Sequence, residues 1–358
     1  MGMILRSAII GLGRMGAQPS IRLEGKICAG WLPVSHAEAI LSVPGLSLSA
    51  MCDNDEERRN TYSAYYNVKN IFADYEEMLG AIRPDILSIA TRTDIRCDVI
   101  RKAVSAGVKG IYAEKPISRS VADCKDAISA IRSGNVKLVY GATRRAMDIY
   151  RKAKKICWSG ELGDVQHIST EFGRAALLWT LPHATDLILF FSNSHVWKEV
   201  QGNCRINQAS YKHDRDELDD DPIVNNAYFS FDNGISASMI PGDGLNVRIF
   251  CSKGILTVNG DGHHIEISRE GNFPNYFHKS EIITVDPLLS GTQRIFTALK
   301  NAVVSDSEVS IVTAEEILAG QELLFGIVQS FLAKGRIITP GELNENFVIT
   351  GRSGDFYA

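Results

Sequence analysis

The chain has no long apolar run, no block of like charge and no cysteine cluster. In 358 residues no apolar stretch is long enough for a bilayer-spanning helix, so no membrane partner is expected. The amino terminus, Met1-Gly2-Met3-Ile4-Leu5-Arg6, lacks a secretory layout and the Ser or Thr that a myristoylation signal carries at position 6. Lys and Arg number 38 against 42 Asp and Glu, a net charge of −4. Neither sign is gathered, which argues against a nucleic-acid or anionic-membrane surface. The seven cysteines, Cys28, Cys52, Cys97, Cys124, Cys157, Cys204 and Cys251, stand far apart without a C-x-x-C pair. That spacing argues against a zinc knot or disulfide framework and suits a reducing cytoplasm. Repeats, low-complexity tracts, G-x-S-x-G, P-loop and H-E-x-x-H are all missing. No metal site is expected. His263-His264 would point to opposite faces of a strand, and the acid-rich 213–221 segment lacks the spacing and turn glycine of an oxygen cage. With 45% hydrophobic and 22% charged residues, what is present is an ordinary globular chain of about two domains. Its expected partner is a small molecule.

From Ile4 to Gly110 short apolar runs alternate with amphipathic charged segments, the pattern of a doubly wound parallel sheet with helices on both faces. Strands are expected near 5–10, 46–51, 85–90, 109–112 and 136–140, with helices over 55–66, 94–106 and 120–132. Beyond Arg151 a helix runs to about 159 and a short apolar helix covers 183–191. Alternating runs follow at 224–231, 235–240, 246–251, 255–258 and 264–268. Asp232-Asn233-Gly234 and Asn259-Gly260-Asp261-Gly262 are hairpin signals, so these strands predict a large, mostly antiparallel open sheet. Helices at 291–304 and 313–334 are expected to cover one of its faces. The fold class is α/β: a Rossmann domain over 1–141, then an α+β domain over 142–358.

Ser7-Ala8-Ile9-Ile10-Gly11-Leu12-Gly13-Arg14-Met15-Gly16 is a G-x-G-x-x-G that follows a strand and is expected to open a helix. Gly11 permits the tight turn, Gly13 lets backbone approach a pyrophosphate, and Gly16 allows close helix–strand packing. Arg14 and Met15 fall among the cofactor-binding positions of this loop. Asp53, at the end of the next strand, suits the ribose hydroxyls of NAD and would repel a 2′-phosphate. It stands about 37 residues after Gly16, further than the roughly 20 of the simple fingerprint. The inserted residues 18–40 hold Pro19, Gly25, Gly30, Trp31 and Pro33, which break the first helix and read as a surface excursion, or alternatively as a flap near the cofactor. Asp53 could instead cap the next helix beside Asp55, and Arg58 or Arg59 could reach a 2′-phosphate; NADP is the alternative cofactor.

Glu114-Lys115-Pro116 lies just past a parallel strand. With Gly11 to Gly16, Asp53, Ile89-Ala90-Thr91-Arg92-Thr93, Tyr140-Gly141, Arg144-Arg145 and His183-Ala184-Thr185-Asp186, the chain resembles the glucose-fructose oxidoreductase, inositol dehydrogenase and MocA (Gfo/Idh/MocA) family. The resemblance implies hydride transfer between a nicotinamide and a hydroxyl-bearing carbon of a sugar, nucleotide sugar, sugar acid or cyclitol. It also implies a homodimer or homotetramer made through the carboxyl-terminal sheet.

Oxidising an alcohol needs a proton acceptor at the hydroxyl. Lys115 suits that place, because burial and a cationic nicotinamide both disfavour its ammonium form; the plainer reading is a lysine bound to the cofactor ribose or to Glu114. Glu114 is expected to orient the ribose and lysine, and Thr91, Thr93 and Arg96 to lie along the cofactor. His183 matches the family's active-site histidine, with core or cap as the plainer reading, and Asp186 stands one turn further on. The chain departs from the family's Asp-x-Gly-x-His-x-x-Asp, carrying Trp179 and Leu181 for the Asp and Gly. Trp179 reads equally as a stacking wall for a sugar and as packing. Arg92, Arg96 and Arg144 add positive charge that favours an anionic substrate, unless they hold the pyrophosphate or face solvent. Two other readings follow from the same residues: an NAD-dependent glycoside hydrolase, and a binding protein that has lost its chemistry with the missing acid.

Overall fold

The computed structural model describes residues 4–273 and 276–351. Met1, Gly2 and Met3, on which the reading of the amino terminus rests in part, lie outside the described residues. The chain divides into two compact units. The first runs to Ala146 and resumes over Leu289–Ala314; the second holds Met147–Leu288 and the described residues from Glu315 on.

In the first unit the strands are β1 (Leu5–Ile10), β2 (Leu46–Cys52), β3 (Ile71–Phe72), β4 (Ile86–Ile89), β5 (Gly110–Ala113) and β6 (Lys137–Tyr140). They pair in the order β3-β2-β1-β4-β5-β6, every pair parallel. This is the doubly wound order whose direction reverses between β1 and β4, where ligands bind outside the carboxyl ends of the strands. Every residue of β4 and β5 is buried, as it must be when helices cover both faces.

Helices α1 (His36–Ser42), α2 (Glu56–Tyr66), α3 (Tyr75–Ile82), α4 (Thr93–Ser105) and α5 (Val121–Ser133) connect the strands. The sequence dictates several of their starts. Asp55, Asp74 and Ser120 each accept the backbone N–H three residues on, satisfying a donor the helix leaves unpaired. The sequence reading had assigned neither β3 nor α3, although Asp74 followed by Glu77 is a start signal.

One expected helix belongs elsewhere. Gly291–Ser305 packs on the parallel sheet, not on the antiparallel one, and crosses back from the region assigned to the second domain. Its stripe of Ile295, Phe296 and Leu299 joins the core formed by Ile9, Leu12, Ile40, Met51, Tyr112 and Val139. A helical apolar stripe says that a face is buried, not which sheet buries it.

The second unit is built on a nine-stranded sheet among the described residues. Its strands run Phe277–Ile283, His264–Glu270, Gly254–Asn259, Asn246–Cys251, Val165–Glu171, Ser236–Ile240, Ile223–Phe231 and Ala175–Ala176, with Trp197–Arg205 also paired to Ile223–Phe231. Only Ser236–Ile240 with Val165–Glu171 is a parallel pair, so the sheet is mostly antiparallel as expected. Strict alternation of buried and half-buried residues along Asn246–Cys251 and Gly254–Asn259 marks one face turned to the core. The helix Ala314–Leu332 covers Trp197–Arg205, and side chains at Gly202 or Gly326 would overlap Ile327 or Val200. No helix among the described residues is long and apolar enough to cross a membrane. All seven cysteines are free thiols.

Candidate functional site

The glycine loop leaves β1 at Ile10. Gly11 donates to the Cys52 carbonyl at 2.8 Å and adopts φ +89°, and a side chain there would meet the Ala90 backbone at 2.7 Å. The turn is thus pressed against the loop after β4. At Gly16 a side chain would overlap the Gly11 carbonyl oxygen, so the turn also closes on itself. Gly13 differs: a Cβ there would meet only Arg58 Nη1, at 3.9 Å. The backbone at Gly13 faces an open cradle that a side chain would fill, the opening a pyrophosphate needs. By that test the loop fits a dinucleotide.

The expected helix does not follow directly. One turn forms, with Ala17 N–H donating to the Gly13 carbonyl at 3.0 Å, and the chain then departs over residues 18–35. It returns as α1, where the N–H groups of His36 and Ala37 donate to the carbonyls of Met15 and Gly16 at 2.7 and 2.9 Å. Turn and helix are one element spliced around an excursion. The splice draws its donors from His36 and Ala37, not from the N–H groups at the start of the glycine-loop turn. Pro19, which has no N–H, marks the departure.

Ser20 closes the excursion. Its N–H donates to Glu38, and its hydroxyl accepts from Val34 N–H at 2.8 Å. Trp31 is buried within the excursion. The Arg144 guanidinium lies over the Trp31 ring at 4.8 Å, a cation–π contact. The sequence alone left Arg144 to an anionic substrate, the pyrophosphate or solvent, and the excursion to the surface or a flap near the cofactor; the structure brings Arg144 and the excursion together.

Asp53 is buried. Its carboxylate accepts the Leu12 N–H at 2.6 Å and the Asp55 N–H at 2.9 Å. Asp55, not Asp53, caps α2. Arg59 donates to the Asp53 carbonyl at 2.8 Å, and Arg58 pairs with Asp55 at 3.5 Å. Asp53 thus stands against the glycine loop.

The loops after β4 and β5 share a brace. Arg96, buried on α4, donates to the carbonyls of Thr91 and Pro116. It holds the two loops together, where the sequence reading gave it a direct cofactor contact. Thr91 and Thr93 are half-buried, and the Thr91 hydroxyl donates to the Arg92 carbonyl at 3.1 Å. Arg92 itself is the residue at the start of α4.

Glu114 is buried between these groups. Its Oε2 accepts the Lys115 N–H at 3.2 Å, its Oε1 lies 3.2 Å from His36 Nε2, and a side chain at Gly141 would crowd both oxygens at 2.9 Å. Burial pushes this carboxyl up, but the His36 hydrogen bond and the charges of His36, Lys115 and Arg96 outweigh it. The net result is an acid held below the usual glutamate range. An acid so held stabilises the fold above its unfolded-state value and loses that contribution as pH falls through its folded one. Glu114→Gln is therefore expected to be less stable than wild type at neutral pH, with the gap closing below about pH 4.5. Denaturant unfolding at several pH values checks it.

His36 and Ser88 were missed by the sequence reading. The available signal was Ser35, whose hydroxyl caps α1 and so sets a histidine on the first turn of that helix.

In the second unit, the helix Pro182–Ser192 starts with proline in its first turn, where the missing N–H costs nothing. His183 is half-buried and donates its N–H to the Thr180 carbonyl at 3.2 Å; Asp186, one turn on, is buried. Trp179 precedes the helix and is half-buried. Asp221 steadies this stretch by accepting the Leu178 N–H at 2.8 Å. The structure thus gathers Gly11, Gly13, Gly16, Asp53, Thr91, Arg96, Glu114 and Lys115 along the carboxyl edge of one sheet. Trp179, His183 and Asp186 belong to the other unit.

A model of the oxidoreductase family with an NAD-binding Rossmann fold matches residues 5–142. The uncharacterized oxidoreductase YrbE of Bacillus subtilis is 30% identical over 141 residues, 39% of this chain and 41% of that protein. Trans-1,2-dihydrobenzene-1,2-diol dehydrogenase of Xenopus laevis is 25% identical over 163 residues, 45% of this chain and 48% of the enzyme. The chain thus aligns with less than half the length of these curated relatives. The crystal structure of myo-inositol 2-dehydrogenase from Lactobacillus plantarum matches 94% of this chain and 99% of its own at a TM-score of 0.70, with 20% identity. That likeness is one of fold.

Proposed function

We propose that the chain, whose residues 5–142 match the oxidoreductase family with an NAD-binding Rossmann fold, is an NAD-dependent dehydrogenase or reductase of the Gfo/Idh/MocA type. Its substrate is a carbohydrate-like alcohol: a sugar, nucleotide sugar, sugar acid or cyclitol. The observation that carries this reading is the carboxyl edge of the parallel sheet, where the open cradle at Gly13, the Asp53 carboxylate and the Glu114-Lys115 pair stand on the loops after β1, β2 and β5. The relative named for a cyclic diol supports the substrate class.

Bound NAD supplies an acceptor or donor for hydride. The chain's part is binding and proton handling. Backbone at Gly13, with Arg14 and Met15 beside it, receives the pyrophosphate, while Asp53 receives the ribose and disfavours a 2′-phosphate. Thr91 and Thr93 flank the cofactor, and Arg96 braces their loop against that of Lys115. Lys115 takes the proton of the substrate hydroxyl during oxidation and returns it during reduction. His183 is the second proton-handling group, with Asp186 one turn along its helix to orient it. The free thiols suit a reducing cytoplasm. The sheet of the second unit, with Tyr228 and Ile240 exposed, is the surface for a homo-oligomer.

Titration with NADH and with NADPH, followed by nicotinamide fluorescence on protein cleared of carried-over cofactor, tests the reading. Tight NADH and much weaker NADPH binding is expected. Binding of neither would overturn it.

A further inference from the structure

The proposed chemistry leaves a buried histidine unused. We propose that His36 is a positioning residue for Lys115, holding the Glu114 carboxylate in place beside it. The proposal rests on the dehydrogenase reading only for the task that Lys115 performs.

The His36 ring is fixed on every side. Nδ1 lies 2.6 Å from the Ser88 hydroxyl on β4 and Nε2 3.2 Å from Glu114 Oε1. The ring stacks on Tyr112 of β5 at 4.2 Å and meets the edge of Phe296 at 5.5 Å. The residue has no solvent exposure. When Ser88 donates to Nδ1, the neutral ring turns an N–H toward the carboxylate; a protonated ring donates to both partners. Either way Glu114 receives a hydrogen bond from His36 on one oxygen and from Lys115 N–H on the other. The charged groups facing this cluster are Glu114 and Lys115 from the loop after β5 and Arg96 from α4. Gly141, at the end of β6, leaves the room that the carboxylate fills.

A buried histidine needs a partner at each ring nitrogen, and the two present here are the Ser88 hydroxyl and the carboxylate next to Lys115. The depth of His36 is set by the splice, because its own N–H is the one bonded to the Met15 carbonyl. The first turn of α1 therefore fixes both the glycine loop and the carboxylate beside Lys115. If His36 loses its ring nitrogens, burial works unopposed on one oxygen of Glu114. The acid then takes up a proton more readily, and Lys115 loses its neighbouring anion.

The test reads Lys115 directly. Full-length protein is pulsed with acetic anhydride across a pH series, and acetylation of Lys115 is followed by peptide mass spectrometry. Glu114→Gln and His36→Leu are each expected to lower the pH of half-maximal labelling by about one unit or more. His36→Gln, which keeps an N–H donor, is expected to restore most of the difference. A Lys115 profile unchanged in folded His36→Leu, or in Glu114→Gln, overturns the proposal. Should His36→Leu fail to fold, Ser88→Ala decides: it leaves the ring and removes its Nδ1 partner, so a shift to lower pH supports the role and an unmoved profile ends it. The labelling uses neither nicotinamide nor substrate. NADH titration of the same wild-type sample therefore fails separately if the dehydrogenase reading is wrong.

Discussion

Replacing Lys115 by alanine is expected to lower turnover on an identified substrate by about 10²- to 10⁴-fold while NADH binding persists, the loss typical of removing a positioned acid/base. The split follows from the arrangement at the carboxyl edge. Groups proposed to hold the dinucleotide, Gly13 and Asp53, sit on the loops after β1 and β2. Lys115 sits two strands away on the loop after β5, and its backbone is fixed by Glu114. Removing the side chain beyond Cβ leaves that backbone hydrogen bond intact, so the cofactor site should survive. Steady-state rates with a sugar, sugar-acid and cyclitol panel, read beside NADH fluorescence, separate the two quantities. Turnover that survives the substitution would remove Lys115 from the chemistry; loss of NADH affinity alone would make it a ribose-binding lysine.

The second large effect is a contrast between two glycines of one loop. Gly16→Ala is expected to cost about 3 kcal/mol, the upper end for overpacking, because the new methyl would overlap the backbone oxygen of Gly11. A backbone atom cannot swing aside as a side-chain tip can. Gly13→Ala should fold with nearly wild-type stability, since its methyl would meet only Arg58 Nη1, at 3.9 Å. It should instead weaken NADH binding at least about tenfold, or ~1.4 kcal/mol, by filling the cradle. Denaturant unfolding and NADH titration of both variants make the comparison. If Gly13→Ala bound NADH like wild type, the pyrophosphate would not lie there.

Much of this was legible in the residues. The glycine loop after an apolar strand, Asp53 at the next strand end and Glu114-Lys115 after another all mark the edge of a parallel sheet, because their spacing follows the strand–helix period. The antiparallel sheet was legible from alternation and from Asp232-Asn233-Gly234, whose glycine takes φ +83°.

Two kinds of feature were not legible. Trp197–Arg205 alternates between buried and exposed from Val200 on, but Lys198, Glu199, Gln201 and Asn203 dilute the apolar signal that marks a strand. Contacts between residues far apart in sequence leave no local pattern at all. His36 meets Ser88 and Glu114, Trp31 meets Arg144, and helix Gly291–Ser305 packs against β5 and β6. Each depends on which sheet a segment returns to, and a sequence records periodicity far better than destination. Arg96 illustrates the difference: its charge suggested a ligand, whereas its partners are two carbonyls of its own unit.

The splice at Ala17 and His36 also bears on how the fold can change. Lengthening a loop costs little, about 0.6 kcal/mol for each doubling, provided that its two ends are already held together. Here they are, since the carbonyls of Met15 and Gly16 bind the N–H groups of His36 and Ala37 across the gap. Residues 21–32, between Ser20 and the Pro33-Val34-Ser35 stretch, which bind Glu38, Ser290, Thr292 and the start of α1, are therefore a cassette seated in a constrained turn of the domain, open to replacement by segments of other lengths. Whatever Trp31 contributes at Arg144 can be exchanged as a module, while the nucleotide-binding frame is inherited unchanged.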